Sequence, residues 1–448
     1  METSDLTRKL AELFADCQLF LVGGSVRDQL LGRAGSDVDL ATDARPDEIR
    51  RRVEPWADSV WLVGEKFGTV GLEKEGLKAE ITTFRSDTYD GVSRKPEVTF
   101  GDDLRGDLAR RDFTINAMAF DLHREQLTDP FGGQGDLAAR IVRFVGEPDE
   151  RISEDPLRML RAVRFCSQLD FELDPAATVA IAAAADALRR ISAERIRDEL
   201  DRILLSHHPR EGLRLVLDLG LAPHTLPELL RLQLPAPERH QMKDLLEHTL
   251  DAVACSPADK VVRYAALLHD IAKPGTISSD ESGVHFYRHE VLGEKAARSA
   301  LARLRQPAAL VEQVALLIRH HLRIPYYTSE WTASAVRRLM FDLGEQLEAA
   351  FALADADVRA SDPSDYPEFQ ALLRELRTRA REVGEATDLA RMKPLLNGDD
   401  VMSLLSLPPG PKVGEALAFL LDQQIEGAIS TREEAIEAVR ERFERPTA

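Results

Sequence analysis

The sequence predicts a multidomain α+β protein, with an α/β head over residues 1–145 and a mostly α-helical body after it. Two observations carry that expectation. Between residues 17 and 145, short apolar runs (QLFLVGG, SVWLVG, GTVGLE, LKAEITTFR, TINAMAFD) alternate with turn residues, a pattern of strands with few helices. After PDERISEDP the apolar residues take helical spacing, in LRMLRAVRFCSQL, ATVAIAAAADALRRI and AERIRDELDRILL, and keep it to the end. The Pro-rich stretch LPELLRLQLPAPERH supplies a second boundary. The body then divides into a helical neck over 146–235, a further helical domain over 236–365 and a helical tail over 366–448.

With 448 residues, 44% of them hydrophobic and 30% charged, the chain has material for two or more cores. No apolar run is long enough to span a bilayer, and METSDLTRKLAELF has neither the apolar core nor the cleavage site of a signal peptide. A cytoplasmic location with no membrane partner is expected. Cys17, Cys166 and Cys255 are far apart and odd in number, which predicts buried free thiols rather than a disulfide framework or zinc ribbon. The net charge of -19 opposes a polyanionic partner unless one surface is locally basic. The arginine-rich strings RAVRF and ERIRDELDR can line such a surface, or can serve in surface salt bridges.

The first candidate site lies in LVGGSVRDQLLGRAGSDVDLATD. An apolar strand runs into Gly23 and Gly24, a helical segment follows, and a second strand begins with Asp37, Val38 and Asp39. Residues i and i+2 of a strand share a face, so Asp37 and Asp39 present two carboxylates together while Val38 and Leu40 face the core. Paired hard oxygen ligands suit Mg²⁺, which can hold a triphosphate and activate a hydroxyl nucleophile. Gly23 and Gly24 let backbone N–H groups approach phosphate, and Arg27 adds a cationic fork. Glu80 in LKAEITTFR is a third acid, placed either to complete the metal shell or to pair with Arg85.

GGSVRDQLLGRAGSDVDLAT resembles the signature of the class II tRNA nucleotidyltransferase and bacterial poly(A) polymerase family, whose head has a polymerase β-like nucleotidyltransferase fold. LARRDFTINAMAFD resembles the family's RRDFTxNAM motif. The resemblance implies that Asp112 reads the ribose, a 2′-OH being able to donate to a carboxylate, and that Arg111 and Asn116 belong to the nucleotide site. Without the resemblance, Asp112 reads as a partner of Arg110 or Arg111.

ISEDPLRMLRAVRF resembles the family's EDxxR motif. Glu154, Asp155 and Pro156 suit the first turn of a helix, which is one reading of them. In that helix Asp155 and Arg158 fall on one face and offer an acceptor and donors to a base edge. The resemblance implies that these two select cytosine or adenine, that Glu154 orients Arg158, and that Arg161 reaches triphosphate. Arg195 and Glu199, in ISAERIRDEL, are expected to form an i,i+4 pair that supports the templating helix.

Six of the eleven histidines fall between His248 and His321. The order His248, His269-Asp270, then an acid of ADADVRAS resembles the HD phosphohydrolase superfamily, with His289, His320 and His321 nearby. It implies an HD-type helical domain holding a divalent transition metal on His248, His269, Asp270 and Asp357, with Asp355 competing for the last place.

The resemblance implies phosphoryl transfer to the 3′ end of tRNA from CTP and ATP, closest to a bacterial CCA-adding enzyme with an HD domain. A-adding enzymes and poly(A) polymerases share nearly all these residues. The segment between Arg85 and Leu108 has the composition of a flexible loop, which in this family disfavours CC-only addition. The acidic tail lacks the basic extension of the poly(A) polymerases. A phosphohydrolase with a degenerate head is the alternative of another class.

Overall fold

The computed structural model describes residues 4–33, 37–63, 68–88, 97–100, 103–233, 244–280, 283–361, 364–386 and 393–443. The chain forms two compact units, Met1–Pro227 and Glu228–Ala448. No helix of the described residues is long and apolar enough to cross a membrane.

The first unit is built on a seven-stranded mixed sheet. Its strands are β1 (Leu19–Val22), β2 (Asp37–Thr42), β3 (Ser59–Val63), β4 (Thr69–Lys74), β5 (Leu77–Thr83), β8 (Ala119–Asp121) and β9 (Gln126–Thr128), in the order β3-β4-β5-β2-β1-β8-β9. Only β2 and β5 run parallel; the other neighbours are antiparallel. All four residues of LFLV in β1 are buried, as a central strand covered on both faces requires. Helix α1 (Asp5–Leu13) precedes the sheet and α2 (Gly24–Leu30) joins β1 to β2. Helix α3 (Pro46–Val53) starts at a proline, carries acids in its first turn and three arginines in its last, and buries Ile49 and Val53.

The stretch between Arg85 and Leu108 departs from the expected flexible loop. β6 (Arg85–Thr88) and β7 (Glu97–Phe100) pair as an antiparallel ribbon, and α4 (Leu104–Ala109) follows, capped by the Asp103 side chain. Asp90, Gly91 and Pro96, whose types suggested a loop, fall between the two strands, and residues 89–96 and 101–102 lie outside the described residues. Pairing satisfies the backbone groups of the two strands.

After α5 (Gly133–Ala139) the unit becomes helical, through α6 (Pro148–Glu154), α7 (Arg158–Leu169), α8 (Pro175–Ala184), α9 (Ala193–Leu204) and α10 (Pro209–Asp218). A short parallel pair, β10 (Ile141–Val142) with β11 (Glu172–Leu173), ties the end of the head to the loop after α7. Gly212 of α10 faces Ser167 and Ile203 so closely that a Cβ there would lie 2.6 and 2.7 Å from them. A side chain at 212 would push α10 away from α7 and α9.

Among the described residues, the second unit is helical except for the ribbon β12 (Ile277–Asp280) and β13 (Gly283–Phe286). Its helices are α11 (Leu245–Cys255), α12 (Lys260–Leu268), α13 (His289–Arg303), α14 (Ala308–His320), α15 (Ala333–Leu343), α16 (Leu347–Ser361), α17 (Tyr366–Ala386), α18 (Gly398–Leu405), α19 (Pro411–Glu426) and α20 (Arg432–Phe443). Leu396, Val401, Val413, Leu420 and Val439 form a small apolar core among the last three. All three cysteines are free, but only Cys166 is buried; Cys17 and Cys255 are partly accessible. Burial pushes the Cys166 thiol up to about 12.

Phe113, fully buried, packs on Phe144 at 5.0 Å and on Phe165 of α7 at 5.4 Å between ring centroids. It joins the head to the neck. Phe113→Ala should cost about 3–5 kcal/mol, measured as a lower urea midpoint for the first unit; an unchanged midpoint would refute that role.

Candidate active site

The site begins where β1 ends. Gly23 turns the chain with φ 65°, a conformation glycine adopts freely, and a Cβ there would lie 2.7 Å from Arg111 Nη1. The Ser25 hydroxyl, in α2, accepts from the Asp39 backbone N–H at 2.9 Å and so latches the helix to β2. Leu40 is buried as expected, and the half-buried Asp39 carboxylate lies on the Gly23 side. The parallel register pairs Asp39 with Glu80 of β5, so these two acids share a face of the sheet. Asp37 pairs with Lys78 along the backbone; its side chain lies outside the described residues.

The RRDFT segment follows α4. Buried Asp107 takes both arginines, Arg110 at 2.7 Å and Arg111 at 3.2 Å. Asp112 takes neither of them and pairs with Arg161 of α7, whose Nε donates at 2.8 Å and whose Nη2 also donates. The other Asp112 oxygen accepts from Asn116 Nδ2 at 3.2 Å and from the Phe113 N–H at 2.9 Å. Burial alone would raise the Asp112 carboxyl, but the Arg161 guanidinium outweighs it and holds the group below the usual carboxylate range. Arg27 donates to Asn116 Oδ1 at 2.7 Å and grips Asp28 through two nitrogens, at 2.9 and 3.0 Å.

At the EDxxR segment the structure corrects the single-helix reading. Glu154 ends α6, Asp155 is extended (φ -144°, ψ 101°), and α7 begins only at Arg158. Pro156 is the cause, because its ring disfavours the helical conformation at the preceding residue. Asp155 and Arg158 still line one cavity, but across a helix break rather than along one helical face. Glu154 holds Arg158 through an ion pair and Arg151 at 2.6 Å. Arg195 and Glu199 do not pair with each other. Arg195 donates to Asp155 at 2.6 Å, and Glu199 meets Arg164 at 3.0 Å and Arg161 at 4.0 Å.

These elements line an open cleft of about 630 Å³. Gly23, Gly24, Arg27, Asp39, Arg111, Asp112, Asn116, Asp155, Arg158 and Arg161 line it together, whereas Glu154 stands behind Arg158. The lining also includes Arg110 and Arg195, for which the sequence suggested only structural pairings, and Arg164, Phe165, Gln168 and Arg202, none of which was picked out singly from the sequence. The arginine strings RAVRF and ERIRDELDR were the signal for most of them. With eight arginines against three aspartates, the cavity is basic in a chain of net charge -19. Phe165 is the platform for three of the guanidiniums, with Arg27, Arg161 and Arg164 centred 5.2, 5.9 and 4.4 Å from its ring.

In the second unit a separate cluster forms around Asp270. His248 comes from α11, His269 and Asp270 from the turn after α12, and Asp357 from α16. Asp357 Oδ1 lies 3.1 Å from His248 Nε2 and 3.6 Å from His269 Nε2. Asp270 Oδ2 lies 3.7 Å from His248 Nε2 and 3.3 Å from His269 Nε2. Asp355 faces away and accepts from the Tyr366 hydroxyl at 3.1 Å, so Asp357 is the acid brought to the cluster. His289 and His321 adjoin it, and His320 does not. Burial opposes charge on His269, yet the Asp270 and Asp357 carboxylates raise it to about 10. His321, buried and beside His269, is lowered to about 4.

Comparison with known proteins finds the Poly A polymerase head domain over residues 19–143, an RNA- and SrmB-binding site of polymerase A over 170–232, and a tRNA nucleotidyltransferase domain 2 over 286–439. The CCA-adding enzyme of Geobacillus sp. (strain WCH70) is 33% identical over 421 residues, covering 94% of this chain and 91% of that protein. The A-adding tRNA nucleotidyltransferase of Deinococcus radiodurans is 34% identical over 432 residues, 93% of each chain. With the CCA-adding enzyme of Geobacillus thermodenitrificans the identity is 46% over 208 residues, 46% of this chain, and there the chain spans only 50% of the relative's length. Among solved structures, the Bacillus stearothermophilus CCA-adding enzyme in complex with CTP matches with a TM-score of 0.72 at 28% identity, over 98% of both chains.

Because Asp112 is depressed in the folded chain, its contribution to stability is complete above the free carboxylate value of about 3.9 and is lost as pH falls through its lower folded value. Asp112→Asn should lower Tm near neutral pH and make its fall below about pH 4 shallower. Thermal scans across that range check this, and an equally steep fall would contradict the assignment.

Proposed function

The chain belongs to the class II tRNA nucleotidyltransferase family, and from that premise we propose that it adds CCA to the 3′ end of tRNA from CTP and ATP, releasing pyrophosphate. The observation that carries this reading is the basic cavity in which Asp39, Asp112, Asp155 and Arg158 meet. The full-length similarity to CCA-adding enzymes directs it to the tRNA terminus.

Asp37 and Asp39, with Glu80 beside Asp39, offer the hard oxygen donors that fit Mg²⁺. A bound divalent ion there supplies charge neutralisation for the triphosphate and a more acidic 3′-hydroxyl. The 3′-oxygen forms the new bond to the α-phosphorus as the bond to the β-phosphate oxygen breaks, with Arg27 and Arg111 holding the anionic triphosphate. Asp112 accepts from the ribose hydroxyl. Asp155 offers an acceptor and Arg158 offers donors, an edge that matches cytosine or adenine and mismatches uracil or guanine. Glu154 fixes the guanidinium of Arg158.

A second reading is supported by the cluster in the other unit. Imidazole and carboxylate donors from His248, His269, Asp270 and Asp357 fit a divalent transition metal in an HD-type arrangement, and with it a second, hydrolytic activity on phosphoesters. This activity is additional to transfer: nucleotide incorporation should survive His269→Ala with Asp270→Ala, and its loss would move the main chemistry to this unit.

The principal test supplies Mg²⁺ and tRNA transcripts ending before CCA, after C and after CC, with CTP and ATP singly and together. All three should grow to a stop after CCA. Extension of the CC-ending transcript alone by one A would make the chain an A-adding enzyme like its Deinococcus relative, and a long ATP-dependent ladder would make it a poly(A) polymerase. Asp39→Ala should lower transfer by about a hundredfold or more, the scale of one transition-state electrostatic contact. Asp155→Ala should instead admit UTP and GTP while retaining measurable transfer.

A further inference from the structure

We propose that Trp61 is the platform on which the 3′-terminal base of the acceptor RNA stacks, a subsite on the opposite side of Asp39 from the nucleotide cleft. The proposal rests on the reading of that cleft as a nucleotidyl-transfer site and adds to it the place of the second substrate.

The sheet register puts Trp61 there. Asp39 of β2 pairs with Glu80 of β5, Glu80 with Gly71 of β4, and Gly71 with Trp61 of β3. Residues directly opposite on neighbouring strands stand on the same face, so these four form one row across the sheet. The other face carries Leu40, Ile81, Val70 and Leu72, all buried, and is the core side. Trp61 therefore shares the open face with the carboxylates of the transfer site.

Gly71 lets the indole lie along that row. A Cβ at position 71 would stand 2.4 Å from Trp61 Cε2 and Nε1 and 2.8 Å from Cζ2, so the ring fills the space a side chain there would take and reaches toward Glu80. Trp61 is still 37% exposed, which leaves aromatic surface open to a partner. Neighbouring strands lie about 4.8 Å apart. The ring over Gly71 is thus two strands, roughly 10 Å, from Asp39, within reach of the base of a nucleotide whose 3′-oxygen is at the metal.

The direction of attack selects this side. In the strand order, Gly23 continues β1 and Asn116 precedes β8, so the groups around the triphosphate lie on the β1 side of Asp39. The bond that forms and the bond that breaks at the α-phosphorus are in line. With pyrophosphate leaving toward the β1 side, the 3′-hydroxyl enters from the β5 side, over Glu80, Gly71 and Trp61. The terminal base also differs from one addition to the next, as the acceptor ends before CCA, after C and then after CC. Stacking on an aromatic ring tolerates this change because every base has a π-face, whereas a fixed set of hydrogen bonds would not.

The test measures transfer from CTP by the full-length protein with Mg²⁺ to a tRNA transcript ending before CCA, and to the same transcript with an abasic 3′-terminal residue. In the native chain the abasic terminus should lower kcat/KM for tRNA about fivefold to a hundredfold, the scale of one base–aromatic stack. Trp61→Leu should cause a similar fall with the normal transcript and leave the KM for CTP unchanged. It should also be insensitive to the abasic change, since both remove the same contact. Trp61→Phe should recover most of the loss. If the native chain transfers but the two losses multiply, or if Trp61→Leu lowers Tm without affecting kcat/KM for tRNA, Trp61 only covers Gly71 and the proposal is overturned. No transfer by the native chain overturns it together with the proposed function.

Discussion

Arg161 reaches from α7 to the carboxylate of Asp112, and the head and neck of the first unit are organised around that pair. Asp112 sits directly after the two arginines bound by Asp107, and Arg161 also approaches buried Glu199 of α9. The strand head, α7 and α9 are therefore connected through charged groups largely withdrawn from water. Such pairs contribute little net stability compared with apolar packing, but they tolerate few alternative geometries, because a displaced partner leaves a buried charge uncompensated. The cavity shape follows from this constraint. Phe113, packed between Phe144 and Phe165, supplies the apolar contact that holds the same junction.

The acidic chain and the basic cavity are compatible. Eight arginines on one concave surface concentrate positive potential where a triphosphate would lie, while the negative charge elsewhere discourages indiscriminate binding of polyanions. The aspartates within the cavity are tied to arginines: Asp112 to Arg161, and Asp155 to Arg195. The Arg161 guanidinium keeps Asp112 ionised and able to accept. Arg195 becomes a positioning residue for Asp155 rather than a brace within its own helix.

In the second unit the ordering principle is the backbone. Carbonyls near the ends of α12 and α14 and at the end of β13 fix the protonated nitrogens of His269, His321 and His289, and turn the remaining nitrogens inward. The donors at this site are set by helix termini, and burial of Asp270 among them is favourable only in the presence of positive charge.

The sequence by itself determined whatever depends on near neighbours. The strand, glycine turn, helix and DxD strand were legible because alternation and helical spacing are local properties, and the motifs marked Arg111, Asp112, Asp155 and Arg158 as members of one site. It also located the arginine strings that supply the basic wall. Tertiary structure decided the partners: Asp112 chose Arg161, 49 positions away, over its neighbours, and Asp155 chose Arg195, 40 positions away, over a shared helical face with Arg158. The choice of Asp357 over Asp355 has the same origin. Residues two apart on a helix point about 200° apart, and only the packing of α16 determines which of them meets the histidines. Local periodicity specifies the face on which a side chain stands, whereas its partner depends on which distant segment is packed against that face.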